Sequence, residues 1–131
     1  MTQQTVDEWI SGLDFEFWSR GLHKVEAGPF LEAWAKGEAV LLDVRTRVEL
    51  DYVDLPFATH MPVEELPARW QELPRDRLVA TFCSGGERSS VAYGYLHAKG
   101  MDNVRILKGG YAELMAELLP GKLRKLAQLR G

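Results

Sequence analysis

Short apolar runs alternate along the chain with longer stretches of helical periodicity. Val40-Leu41-Leu42-Asp43-Val44, Leu78-Val79-Ala80-Thr81-Phe82 and Val104-Arg105-Ile106-Leu107 read as buried strands. Shorter strands are expected over 24–26 and around 58–61. Helical spacing predicts helices over 29–36, 64–73, 89–99 and 111–119. Pro29 suits a first helical turn and Gly37 its end, while Pro67 confines or opens the second helix. Gly100 suits a C-terminal cap, and Pro120-Gly121 should stop the helix before it. Strands that are apolar throughout are covered on both faces. Their alternation with helices implies an α/β domain with a mostly parallel central sheet and helices on both faces.

Both ends look like additions to this core. Residues 5–20 read as one acidic amphipathic helix, with Val6, Trp9, Ile10, Leu13 and Phe17 on one face. Residues 121–131 are basic, and Leu119, Leu123 and Leu126 share a helical face there. The ends either pack on the core or form a docking surface. The expected division is an extension over 1–23, a core domain over 24–119 and a tail over 120–131.

Composition narrows the function classes. A chain of 131 residues has room for one domain, and its 46% apolar and 27% charged content is globular. A net charge of −3 argues against a general nucleic-acid binder. The longest apolar run, Ala39–Leu42, is too short to span a membrane. The first residues lack the build of a signal peptide, so the cytoplasm is the expected location. The single cysteine, Cys83, can form no internal disulfide, CxxC pair or thiolate metal cluster. No metal or other cofactor is expected.

The densest candidate chemistry is Cys83-Ser84-Gly85-Gly86-Glu87-Arg88-Ser89, between a strand and a helix. Ligands of open α/β sheets bind at such strand ends. The glycines let backbone N–H groups turn inward, and a ring of these groups at a helix start makes an anion cradle. A thiolate at its first position is favoured by the local positive charge. Arg88 adds a cation or ties the loop to a carboxylate. The competing reading is a buried structural cysteine.

Three segments together resemble a single rhodanese domain, over about residues 24–119. They are Leu42-Asp43-Val44-Arg45, the Cys83–Ser89 loop and Lys108-Gly109-Gly110-Tyr111. The resemblance implies the three-layer rhodanese fold and a sulfurtransferase. Cys83 would take a sulfur atom from thiosulfate, glutathione persulfide or polysulfide as a persulfide, then pass it to a thiol or cyanide. A sulfur-carrier protein is a candidate partner, with no nucleic acid or membrane involved. The amides of Ser84, Gly85, Gly86, Glu87 and Arg88 would hold the persulfide. Asp43, Arg45 and Ser89 would position the loop, although Asp43 or Ser89 serving only as a helix cap is the plainer reading.

The loop is C-x4-R, with Ser89 where related phosphatases and arsenate reductases place the arginine of C-x5-R. The shorter loop suits one sulfur atom better than a phosphate. Many rhodanese domains carry Gly-His-Ile-Pro-Gly-Ala after the first motif. Tyr52–Pro62 lacks its glycines and early histidine, so His60 is read as a packing residue. His23 and His97 lie in no motif. Glu87 puts a carboxylate inside the loop, and like charges at 4 Å cost about 1 kcal/mol even in water. Thiosulfate, a dianion, is therefore expected to be a poorer donor than a persulfide. The alternative function is a non-catalytic rhodanese-like interaction module.

Overall fold

The computed structural model describes residues 5–131. Five strands form one sheet in the order β1-β5-β4-β2-β3. They are β1 (Lys24–Val25), β2 (Ala39–Asp43), β3 (Thr59–His60), β4 (Leu78–Phe82) and β5 (Val104–Leu107). All neighbouring pairs are parallel; Asp43 lies beside Phe82 in the β2–β4 register and beside His60 in the β2–β3 register. The edge strands are two residues long, which limits the unpaired edge.

Successive residues of the central strands face opposite layers. Leu41, Ala80 and Phe82 join a core with Phe30, Leu31, Leu114 and Leu126. Leu42, Val79 and Cys83 join the other, with Met61, Leu66, Ala92, Leu96 and Met101. The first layer is built by α3 (Ala27–Ala35), α7 (Gly110–Ala116) and α8 (Pro120–Arg130), the second mainly by α6 (Glu87–Ala98). The expected α/β architecture is therefore present, with both faces covered.

Several elements depart from expectation. The N-terminal helix is two short helices, α1 (Val6–Ser11) and α2 (Phe15–Ser19). Asp14 caps the second, its Oδ1 accepting from the Phe17 amide at 2.9 Å, and this local bond overrides the amphipathic period. The anticipated apolar face is consequently divided. Trp9 packs on Tyr93 and His97, whereas Val6 and Ile10 stay exposed. Glycine at position 94 admits Trp9, since a Cβ there would lie 3.3 Å from its ring.

The expected helix over 64–73 is a 3-10 turn (Val63–Glu65), a single α-turn α5 (Leu66–Arg69) and another 3-10 turn (Trp70–Glu72). Pro67 sits in the first turn of α5. Pro120 ends nothing: it opens α8, outside whose helical turns Leu119 lies as the cap. Of the leucines assigned to the tail's face, only Leu126 is buried. Arg130 lies 4.5 Å over Trp34, which fixes α8 against α3. A further helix that the apolar pattern did not reveal, α4 (Arg47–Leu50), follows β2. Among the described residues no helix is long and apolar enough to cross a membrane.

Candidate active site

Cys83 is the first residue after β4, at the carboxyl end of the middle strand, and is buried. The chain turns at Gly86, whose φ of 96° caps α6 from the left-handed region. Of the two loop glycines, only Gly86 needs that freedom. The turn aims the first-turn amides of α6 back at the sulfur. The Gly86 N–H donates to Cys83 Sγ at 3.0 Å and the Ser89 N–H at 3.3 Å. Burial alone pushes the thiol up. The Ser89 hydroxyl and the Ser89, Gly86 and Gly85 amides outweigh it, so the thiol lies below its ordinary value.

Ser89 is not a helix cap. The helix starts at Glu87, and Ser89 is buried inside its first turn because its amide serves the sulfur and its carbonyl accepts from the Thr81 hydroxyl at 3.1 Å. That last bond ties α6 to β4. Asp43 caps no helix with its carboxylate either: both its oxygens hold Arg45.

Two arginines brace the loop. Arg45 is completely buried; its Nε and Nη2 donate to the Asp43 carboxylate at 2.9 and 2.7 Å, and its Nη1 to the Tyr111 hydroxyl at 2.8 Å. Its guanidinium lies 5.3 Å from the Phe82 ring and 5.4 Å from the Tyr111 ring. Arg45 is held in its charged form by the Asp43 hydrogen bond above all, against the penalty of burial. Arg88 lies nearer the rim. It grips both oxygens of Glu49, one at 2.9 Å, and donates to Ser84 Oγ at 3.1 Å. It thus ties the loop to a carboxylate. The Arg88 hydrogen bond draws the Glu49 carboxyl down to about 2.

Glu49 acts at this site without having been singled out beforehand, and Tyr111 stood in the Lys108–Tyr111 segment with no site role assigned to it. Glu49 had a signal: Thr46-Arg47-Val48-Glu49 is a capping box, with the Thr46 amide donating to Glu49 Oε1 at 3.0 Å. Tyr111 belongs to the Gly-Gly-aromatic turn. Gly110 in that turn has φ of 54°, and a Cβ there would lie 2.5 Å from the Ser84 carbonyl oxygen. The α7 turn therefore packs directly under the cysteine loop. His60 is a packing residue, with Nε2 2.6 Å from the Arg45 carbonyl oxygen. His97 contacts the Val104 carbonyl, far from any motif.

A hollow of about 200 Å³ opens beside the sulfur, lined by Cys83, Ser84, Gly85, Glu87 and Arg88. The loop residues of the sequence motif thus share one hollow, with Gly86 and Ser89 behind the sulfur. Glu87 is exposed at the rim.

A parallel α/β sheet with a cysteine cradled by amides at its central strand end defines an α/β domain of the cysteine-loop class. The chain belongs to the family of rhodanese-like domains, whose model matches residues 27–117. It is 37% identical over 73 residues to a sulfurtransferase of Allochromatium vinosum, covering 56% of this chain and 68% of that protein. It is also 40% identical over 77 residues to a tRNA uridine(34) hydroxylase of Xanthomonas campestris, covering 54% of this chain and 30% of that protein. The chain thus spans less than a third of the hydroxylase's length. A rhodanese-related protein of Thermoplasma volcanium superposes with a TM-score of 0.65 at 28% identity, over 75% of this chain and 95% of that one. A protein of Anabaena sp. gives 0.62 at 29% identity, over 70% of this chain and 85% of that one.

Proposed function

We propose that the protein is a sulfurtransferase working through a persulfide on Cys83. The observation that carries this reading is the Cys83 sulfur at the central strand end, accepting from the Gly86 and Ser89 amides at 3.0 and 3.3 Å, with its thiol drawn below its ordinary value. The Cys83 thiolate attacks the outer sulfur of a donor. With thiosulfate, the new S–S bond forms as the old one breaks and sulfite leaves. With a hydropersulfide R-S-S-H, the thiolate R-S⁻ leaves and the proton stays on the new persulfide until it dissociates. An acceptor then attacks the same outer sulfur and Cys83 departs as thiolate. Cyanide becomes thiocyanate, and a thiol becomes a hydropersulfide that carries the thiol's own proton. Amides that hold the thiolate also hold the persulfide anion one bond further out.

The described residues contain no other cysteine. The loaded sulfur must therefore leave to an external acceptor. Glu87 at the rim disfavours thiosulfate, so persulfide donors are preferred. Asp43 and Arg45 are positioning residues, because they reach the loop only through Tyr111 and the turn packed under it, whereas Ser89 meets the sulfur itself through its amide and hydroxyl.

Intact-mass measurement after incubation with thiosulfate or polysulfide tests the reading. The expected result is a gain of one sulfur, absent in Cys83→Ser and reversed by cyanide. No gain with any donor would turn the assignment to a non-catalytic interaction module. Glu87→Ala should raise kcat/KM for thiosulfate more than for glutathione persulfide. A wild type that prefers thiosulfate contradicts the role given to Glu87.

A further inference from the structure

The cysteine loop is a ridge between two hollows of different charge. On one side lies the hollow over Cys83, with Glu87 at its rim and Arg88 spent on Glu49. On the other lies a larger cleft of about 430 Å³, within the range of small-ligand sites. Ser84 and Gly85 line both, so they are the shared wall. The cleft is closed by His23 and Lys24 at the start of β1 and by Lys108, Gly109 and Gly110 after β5. No acidic residue lines it among the described residues.

Its charge is positive and available. Lys24 has no ion-pair partner among the described residues. Among the described residues Lys108 meets Glu26 alone, at 3.4 Å with both side chains exposed, a pair weak enough to be exchanged for a ligand. Arg105 stands close behind, donating to the Lys24 carbonyl at 3.5 Å. His23 registers this field: burial first, then Lys24 and Arg105, hold it below its ordinary pKa. The cleft wall is rigid at that point, because Trp18 and Phe17 of α2 pack on the His23 ring at 4.8 and 6.0 Å. The N-terminal extension thus shapes a wall of this cleft.

We propose that the cleft is a subsite for the carboxylate end of a peptide-like thiol or of its persulfide, with Lys24 and Lys108 as specificity-determining residues. This rests on the sulfurtransferase reading and names the substrate class for it. The two hollows sort ligands by where their charge lies. In thiosulfate all of the charge sits next to the transferred sulfur, beside Glu87. In a tripeptide thiol the carboxylates are several bonds away, and an extended peptide reaches about 3.5 Å per residue. Such a molecule can place its sulfur at Cys83 and its carboxylates over the ridge, near the lysines.

Two measurements on the full chain test the proposal. The first is calorimetric titration with S-methylglutathione, a thioether that binds without reacting. The wild type should bind it saturably, and Lys24→Gln/Lys108→Gln should weaken binding by about three- to tenfold, while Lys24→Arg/Lys108→Arg retains it. The second is the rate at which thiols unload sulfur-loaded Cys83. The ratio of the glutathione rate to the 2-mercaptoethanol rate should fall at least about threefold in the glutamine variant. An absence of binding, an unchanged affinity or an unchanged ratio would each overturn the proposal. If no donor loads Cys83, the sulfurtransferase reading fails, and the titration alone then decides whether the cleft binds carboxylates.

Discussion

Two arginine–carboxylate pairs brace the same loop, and they differ in their distance from water. Arg45 and Asp43 are 0% and 1% exposed, and the Arg45 guanidinium packs against the Phe82 and Tyr111 rings, which meet edge to face at 5.6 Å. Arg88 and Glu49 are 31% and 29% exposed, at the mouth of the hollow. A fully buried ion pair gains its attraction only after a large desolvation cost, so its value lies in fixing one geometry. Every polar atom of the Arg45–Asp43 pair is directed: the carboxylate takes two guanidinium bonds and the Arg45 amide, and the third guanidinium bond goes to Tyr111. The rim pair has a different consequence. It leaves the loop tethered but offsets the Arg88 charge beside the sulfur. The thiolate is then favoured by the Ser89 hydroxyl and by the Ser89, Gly86 and Gly85 amides.

The largest effect should come from breaking the inner pair. Asp43→Ala leaves the Arg45 guanidinium buried with only Tyr111 for a partner. It should cost about 3–5 kcal/mol in chemical denaturation. A loss below about 1 kcal/mol would mean that the inner pair is no more structural than the outer one. Next comes the floor beneath the loop. Gly110→Ala puts a methyl 2.5 Å from the Ser84 carbonyl oxygen at a φ of 54°. It should cost about 1–3 kcal/mol and slow alkylation of Cys83, because the carbonyl can yield only by moving the loop. Unchanged alkylation would show that the loop is braced by the arginines alone.

The contrast between the pairs also marks how much could be read beforehand. Asp43 and Arg45 are two residues apart, so their pairing is a local fact of one strand end, and their segment stood out in the sequence. The cysteine loop was equally legible, since its turn is written in Gly86 and in the strand before it. Arg88 and Glu49 are 39 positions apart. Their meeting depends on β2 lying beside β4, which no periodicity states. The same holds for Arg45 and Tyr111, 66 positions apart. Helix α4 was hidden because one turn is too short to show an apolar period; only its capping box announced it. The N-terminal extension misled in the opposite way. Its apolar spacing runs unbroken through Gly12 and Asp14, and one side-chain cap decided against it. The cationic cleft could not be read at all, because Lys24 and Lys108 stand at the ends of different strands, brought together by the β1–β5 register.

The smallest effect on stability, and the sharpest on the thiol, should come from the outer pair. Glu49→Gln removes a partly exposed ion pair worth about 0.2–1 kcal/mol, so the fold should barely change. It frees the Arg88 charge beside Cys83, which favours thiolate over thiol. The midpoint of iodoacetamide alkylation, already below the free-thiol value of about 8.5 in the wild type, should therefore fall further. Thiosulfate should gain as a donor for the same reason. The acid side gives an independent check with a fixed sign. The Glu49 carboxyl is drawn from its ordinary 4.5 to about 2 in the folded protein. A depressed carboxyl contributes stability in full above its unfolded value and loses it as pH falls through the folded value. The Tm difference between wild type and Glu49→Gln should thus be constant above about pH 5 and close as the pH is lowered toward 2. A difference that persists at low pH would assign the effect of the substitution to packing rather than charge. The outer pair would then be a second structural brace, and the division of labour between the two arginines would collapse.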